Sequence, residues 1–148
     1  MKNYSEIASE NFKTGYNCSQ SVFLTFAEEC GLDNELALKL SSSFGGGMGR
    51  LREVCGAVTA MFAIAGIKKG YISPNNDELK AKHYELIQNL AKKFEEKFGT
   101  IICRELLELP QGHDTPTPSA RTEQYYQERP CEAFVRYAAE IIEKNLLD

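Results

Sequence analysis

Five cysteines, at positions 18, 30, 55, 103 and 131, are the residues of this 148-residue chain best suited to chemistry. A thiolate is both a nucleophile and a soft metal ligand, so a group of them suits thiol–disulfide exchange or metal coordination. The count is odd, the spacing is wide, and no Cys-x-x-Cys pair occurs. Spacing alone therefore identifies neither a zinc knuckle nor a thioredoxin-type motif. Just before Cys55 lies a glycine-rich run, Ser43-Phe44-Gly45-Gly46-Gly47-Met48-Gly49-Arg50. Glycine permits positive φ and close approach, so Gly45, Gly46, Gly47 and Gly49 are candidates for a loop whose N–H groups face a ligand beside the thiols.

The elements that must position these residues read as helices. Residues 4 to 13 carry Ile7, Ala8 and Phe12 on one side, and Gly15 stops them. Asn17 with Gln20 has capping-box spacing, which puts Cys18 in the first turn of a second helix ending near Gly31. Asp33 caps a third, with Leu36, Leu40 and Phe44 as its expected buried stripe. After the glycine run, residues of about 53–69 are apolar on nearly every side, with Val54, Val58, Met61, Phe62 and Ile64 among small residues. A helix without a polar face belongs in the middle of a bundle. A turn at Ser73-Pro74-Asn75-Asn76 leads into a long helix from about Asp77 to Phe98, with Leu79, Leu86, Leu90, Phe94 and Phe98 inward. Thr100 caps a short helix bearing Cys103, and Pro130 opens the last one, with Cys131 in its first turn. No strand pattern emerges. The expected fold is an all-α compact bundle of five to seven helices in one domain spanning 1–148.

Position, more than spacing, singles out four of the thiols. Cys18, Cys103 and Cys131 fall in the first turn of a helix and Cys55 in the first or second, whereas Cys30 falls at a helix end. Helix N-termini carry unpaired N–H groups and about half a positive charge, which favours an ionised thiol. If the four starts converge, they form a pocket of thiolates. Such a pocket suits thiol–disulfide exchange with Cys55 attacking and one of Cys18, Cys103 or Cys131 resolving. It equally suits zinc or an iron–sulfur cluster held by Cys18, Cys55, Cys103 and Cys131. The plainest alternative is a helical binding module with cysteines buried as small hydrophobes, the natural reading of Cys30. Choosing among no cofactor, zinc and an iron–sulfur cluster needs more than sequence.

Other residues carry weaker signals. His83 and His113 suit exposed positions better than a Cys–His pair. Arg50 and Arg52 could add positive charge to the thiol pocket or simply face solvent. The glycine run lacks the Lys-Ser/Thr of a phosphate-binding loop and no strand precedes it. Residues 110 to 124, rich in proline, form a long irregular loop, either a cover or a mobile segment. Tyr125 and Tyr126 suit a pocket cover or packing on the last helix.

The net charge of −4 lacks the basic excess of a nucleic-acid binder. No apolar run reaches membrane-spanning length, and the start, Met1-Lys2-Asn3-Tyr4-Ser5-Glu6, lacks a signal-peptide core. A cytoplasmic protein without membrane insertion is expected, and homo-oligomerisation stays open.

Taken in order, Gly15-Tyr16-Asn17-Cys18-Ser19-Gln20, Phe44-Gly45-Gly46-Gly47-Met48-Gly49-Arg50, Cys55-Gly56-Ala57, Cys103 and Cys131 resemble the C_GCAxxG_C_C family over nearly the whole chain. Its members are small proteins described as redox-active and defined by four cysteines with a Cys-Gly-Ala-x-x-Gly motif. The resemblance implies that Cys18, Cys55, Cys103 and Cys131 are the functional set, with an unidentified redox partner, and leaves Cys30 outside it. Ala60 stands where the motif ends in glycine.

Overall fold

The computed structural model describes residues Met1–Asp148. It is all-α, in the order α1 (Tyr4–Lys13), α2 (Cys18–Thr25), α3 (Asn34–Ser41), α4 (Gly45–Met48), α5 (Gly56–Lys69), α6 (Asp77–Phe98), α7 (Cys103–Leu106), α8 (Glu123–Glu128) and α9 (Cys131–Leu146). The segments beyond the expected five to seven are short: α4 is a single turn, and the six-residue α8 starts at the end of the proline-rich loop and runs on to just before α9. The only extended pairing is an isolated antiparallel bridge between Val54 and Ile102.

Capping residues set the helix starts. Asn17 and Gln20 form a full capping box on α2, and Asn3, Asp33, Asn76 and Thr122 each accept an N–H of the first turn of their helices. The core lies where α1, α2, α5 and α9 pack together, with α6 laid across α5 and α9. Val58, Met61 and Ile64 of α5 meet Val22 and Phe23 of α2 and Val135, Ala138 and Ile142 of α9 in one buried cluster. Burying each such side chain contributes about 1.5–3 kcal/mol against the entropy of ordering it.

Three packing expectations change. Leu36 and Leu40 are 46% and 45% exposed, and α3 instead turns Ala37 and Ser41 inward, because only its narrow side reaches α2. On α6 only the second half is clamped: Leu90 and Phe94 are buried while Leu79 stays exposed. Helix α2 ends at Thr25, six residues before Gly31. Ser21 and Thr25 return hydroxyl hydrogen bonds to Asn17 and Ser21 carbonyls, and the chain then turns through Cys30.

Candidate functional site

Cys18, Cys103 and Cys131 are the first residues of α2, α7 and α9, and Cys55 is the N-cap of α5. All four line one cavity of about 180 Å³. Cys30 does not, lying half-buried after α2. The expected helix 53–69 thus begins three residues later, since Glu53 and Val54 are extended against α7: Cys55 donates to Ile101 and Cys103 to Glu53 through their backbones.

Close backbone approach makes the convergence. A Cβ on Gly56 would come within 2.7 Å of the Phe44 carbonyl oxygen and 3.1 Å of the Ser19 nitrogen, so glycine lets α5 start against α2. That juxtaposition puts Cys55 beside Cys18. Gly47, at φ 66°, backs onto α7, where an added Cβ would sit 2.6 Å from the Cys103 Cβ and 2.8 Å from the Glu53 nitrogen.

The glycine run itself is a left-handed turn. Gly46, Gly47, Met48, Gly49 and Arg50 all have φ between 59° and 73°, and Arg52 follows at 62°. Carbonyls of Gly45, Gly46 and Gly47 accept from the N–H groups of Arg50, Arg52 and Glu53. For Met48, Arg50 and Arg52 the left-handed region costs roughly 1–2 kcal/mol each. Gly45, Gly46 and Gly47 line the cavity; Gly49 is exposed and does not.

Strain at Arg50 and Arg52 goes with their placement. Arg52 is 5% exposed and donates from Nη1 to Cys103 Sγ at 3.5 Å and from Nη2 to Asp114 at 2.9 Å. Arg50 meets the same carboxylate at 3.0 Å and donates to the Thr115 carbonyl at 2.6 Å. The proline-rich loop is therefore a cover: Asp114 anchors it, and Pro118, Ser119 and Arg121 line the cavity. Arg121 reaches back to the Phe12 and Tyr16 carbonyls, with its guanidinium 4.4 Å from the Phe12 ring centre. Arg129, just before α9, also lines the cavity.

These surroundings separate the thiols. Cys131 is held below the usual thiol range, first because the Cys18 thiol hydrogen-bonds to its charged form, and then because Arg129, Arg121 and Arg52 face it against the cost of burial. Cys18 is pushed well above that range by the same hydrogen bond and by burial. Burial drives Cys55 up to about 12, although the Ala57 and Val58 N–H groups oppose it. Burial also raises Cys103, with Arg52 pulling the other way. Of the four, Cys131 alone is shifted toward the thiolate, and the other three are shifted toward the thiol.

No three His, Cys, Asp or Glu side chains are grouped to hold a metal ion. Structural zinc needs four ligands around one centre, with sulfur at about 2.3 Å, and the four thiols as they stand do not fit such a site. His83 and His113 lie outside the cavity. Arg121, Arg129 and Asp114 were not singled out from sequence. The arginines flanking Tyr125-Tyr126 and Cys131 were the available signal.

No curated protein and no solved structure matches the chain. A family model matches residues 16–145, that of the family described as "Putative redox-active protein (C_GCAxxG_C_C)". With all but 18 of its residues inside that match, the chain belongs to the C_GCAxxG_C_C family.

Proposed function

We propose that the protein performs thiol–disulfide exchange, with Cys131 as the attacking thiolate and Cys18 as the resolving thiol. The observation that carries this reading is the convergence of these two thiols, from the starts of the packed helices α2 and α9, on one cavity that Arg121 and Arg129 also line, with Cys131 alone shifted toward the thiolate. Cys55, the attacking residue expected from sequence, is buried and pushed up to about 12, which suits a thiol that stays protonated.

In the reduced protein the Cys131 thiolate attacks one sulfur of a substrate disulfide. A Cys131–substrate bond forms, the substrate S–S bond breaks, and the first sulfur leaves and takes a proton from solvent. Once Cys131 is in a mixed disulfide it no longer carries the charge to which Cys18 donated. The largest cause of the raised Cys18 value is gone, so Cys18 ionises more readily and attacks Cys131 Sγ. The second substrate sulfur leaves as thiolate. Two electrons have passed to the substrate, and a Cys18–Cys131 disulfide remains for an external dithiol to reduce.

The test is trapping. Cys18→Ser protein should accumulate a mixed disulfide at Cys131 with oxidised glutathione, while Cys131→Ser should accumulate none. A mixed disulfide at Cys55 or Cys103 in both variants would refute the assignment. Unchanged behaviour of a folded four-serine variant would favour a binding module with cysteines serving only as packing.

A further inference from the structure

The cavity's charge runs against that of the chain. Of the six arginines, Arg50, Arg52, Arg121 and Arg129 line it, and no Asp or Glu does, although the net charge is −4. Asp114 reaches Arg50 and Arg52 from outside the lining, at 3.0 and 2.9 Å. Arg121 is held only by neutral acceptors, the carbonyls of Phe12 and Tyr16 and the Tyr126 hydroxyl. Arg129 forms neither an ion pair nor a side-chain hydrogen bond, and its guanidinium lies 5.8 Å from the Tyr125 ring centre. Four guanidinium charges thus face one carboxylate, so positive charge is left in excess in a partly enclosed space, where attraction for an anion exceeds its value in bulk water.

Size narrows the ligand. A cavity of about 180 Å³ is of the order of the ~150 Å³ site that takes up benzene, so it admits the reacting part of a small molecule. We propose that the cavity selects a small dianionic disulfide, one bearing two carboxylates, as the substrate of the exchange described above, on which this inference rests. In water, a thiolate attacking such a molecule is opposed by like charge. Arg129, Arg121 and Arg52, which face Cys131, convert that repulsion into attraction, and Arg50 adds to the same field. A cationic disulfide meets the opposite field.

Three compact disulfides differing in charge test the inference on the reduced full chain: dithiodiglycolate (two carboxylates), bis(2-hydroxyethyl) disulfide (neutral) and cystamine (two ammonium groups). Each rate constant is divided by that of the same probe with free 2-mercaptoethanol, which removes intrinsic reactivity. The normalised rates should fall in the order dianion, neutral, dication, spanning roughly tenfold or more. Arg129→Gln or high salt should compress that span, because the preference is electrostatic. Thiodiglycolate, a thioether dicarboxylate without an S–S bond, should compete with the dianionic probe and raise the melting temperature. Equal normalised rates for the three would overturn the dianion assignment and leave exchange intact. Absence of reaction with all three, with thiodiglycolate still raising the melting temperature, would overturn the exchange reading and the substrate assignment with it.

Discussion

Cys18 and Cys131 occupy the first residues of two helices packed side by side, and both line the same cavity. The two thiols respond differently to their surroundings. Arg129, Arg121 and Arg52 lower Cys131, whereas Cys18 is raised by its neighbour and by burial. Two chemically identical side chains are thereby shifted in opposite directions.

The first prediction concerns alkylation. Cys131 should react first with iodoacetamide, its pH profile having a midpoint below the usual thiol value near 9. Cys18→Ala and Arg129→Gln should each move that midpoint upward, since each removes a group that favours the thiolate. Peptide mapping after brief labelling across pH 6 to 10 reads this directly. Fastest labelling at Cys55 would contradict it.

Stability should fall in alkali. Cys55 is raised from 9 to about 12 on folding, so between those values the folded state binds more protons than the unfolded chain. Its contribution is complete below pH 9 and is lost as pH rises toward 12. At about 1.4 kcal/mol per unit, the loss is on the order of a few kcal/mol. Cys55→Ser should flatten the alkaline limb of a urea-midpoint profile.

Gly47→Ala should destabilise the fold by about 1–3 kcal/mol, combining the left-handed φ with the approach to the Cys103 Cβ. Gly15→Ala, where nothing lies within 4 Å of the added Cβ, should cost only the conformational part. Urea unfolding of both variants compares the two directly. Equal losses would mean that the packing of the glycine turn on α7 contributes nothing.

Asp114→Asn should strengthen the field of the cavity, because Arg50 and Arg52 lose their shared carboxylate. Dithiodiglycolate should then react faster relative to the neutral probe, while the cover loosens and limited proteolysis within residues 110–120 accelerates.

Local signals in the sequence located much of this. The Asn17–Gln20 capping box and Pro130 before Cys131 placed two of the thiols at helix starts, since caps act over three or four residues. Thr100, expected to cap the Cys103 helix, instead accepts from the N–H of Ile102, which is the N-cap of α7. Tertiary effects were hidden. The Leu36–Leu40–Phe44 stripe has helical spacing, yet both leucines face outward because burial depends on where α2 meets α3. A run of left-handed residues including Met48, Arg50 and Arg52 has no local signature beyond its glycines. Arg121 and Arg129 enter the site only because the loop folds back over α1 and α2. A central helix behind a glycine-rich loop favours Cys55 in the sequence, and neither feature reveals that the thiol is buried and pushed up to about 12.

The most direct measurement is the identity of the first disulfide. Fully reduced protein would receive one equivalent of oxidised glutathione, be quenched in acid, alkylated under denaturing conditions and mapped by peptide mass spectrometry. The account predicts a Cys18–Cys131 crosslink, with Cys30, Cys55 and Cys103 alkylated. A crosslink joining Cys55 to Cys103, or five alkylated thiols after glutathione has been consumed, would contradict it.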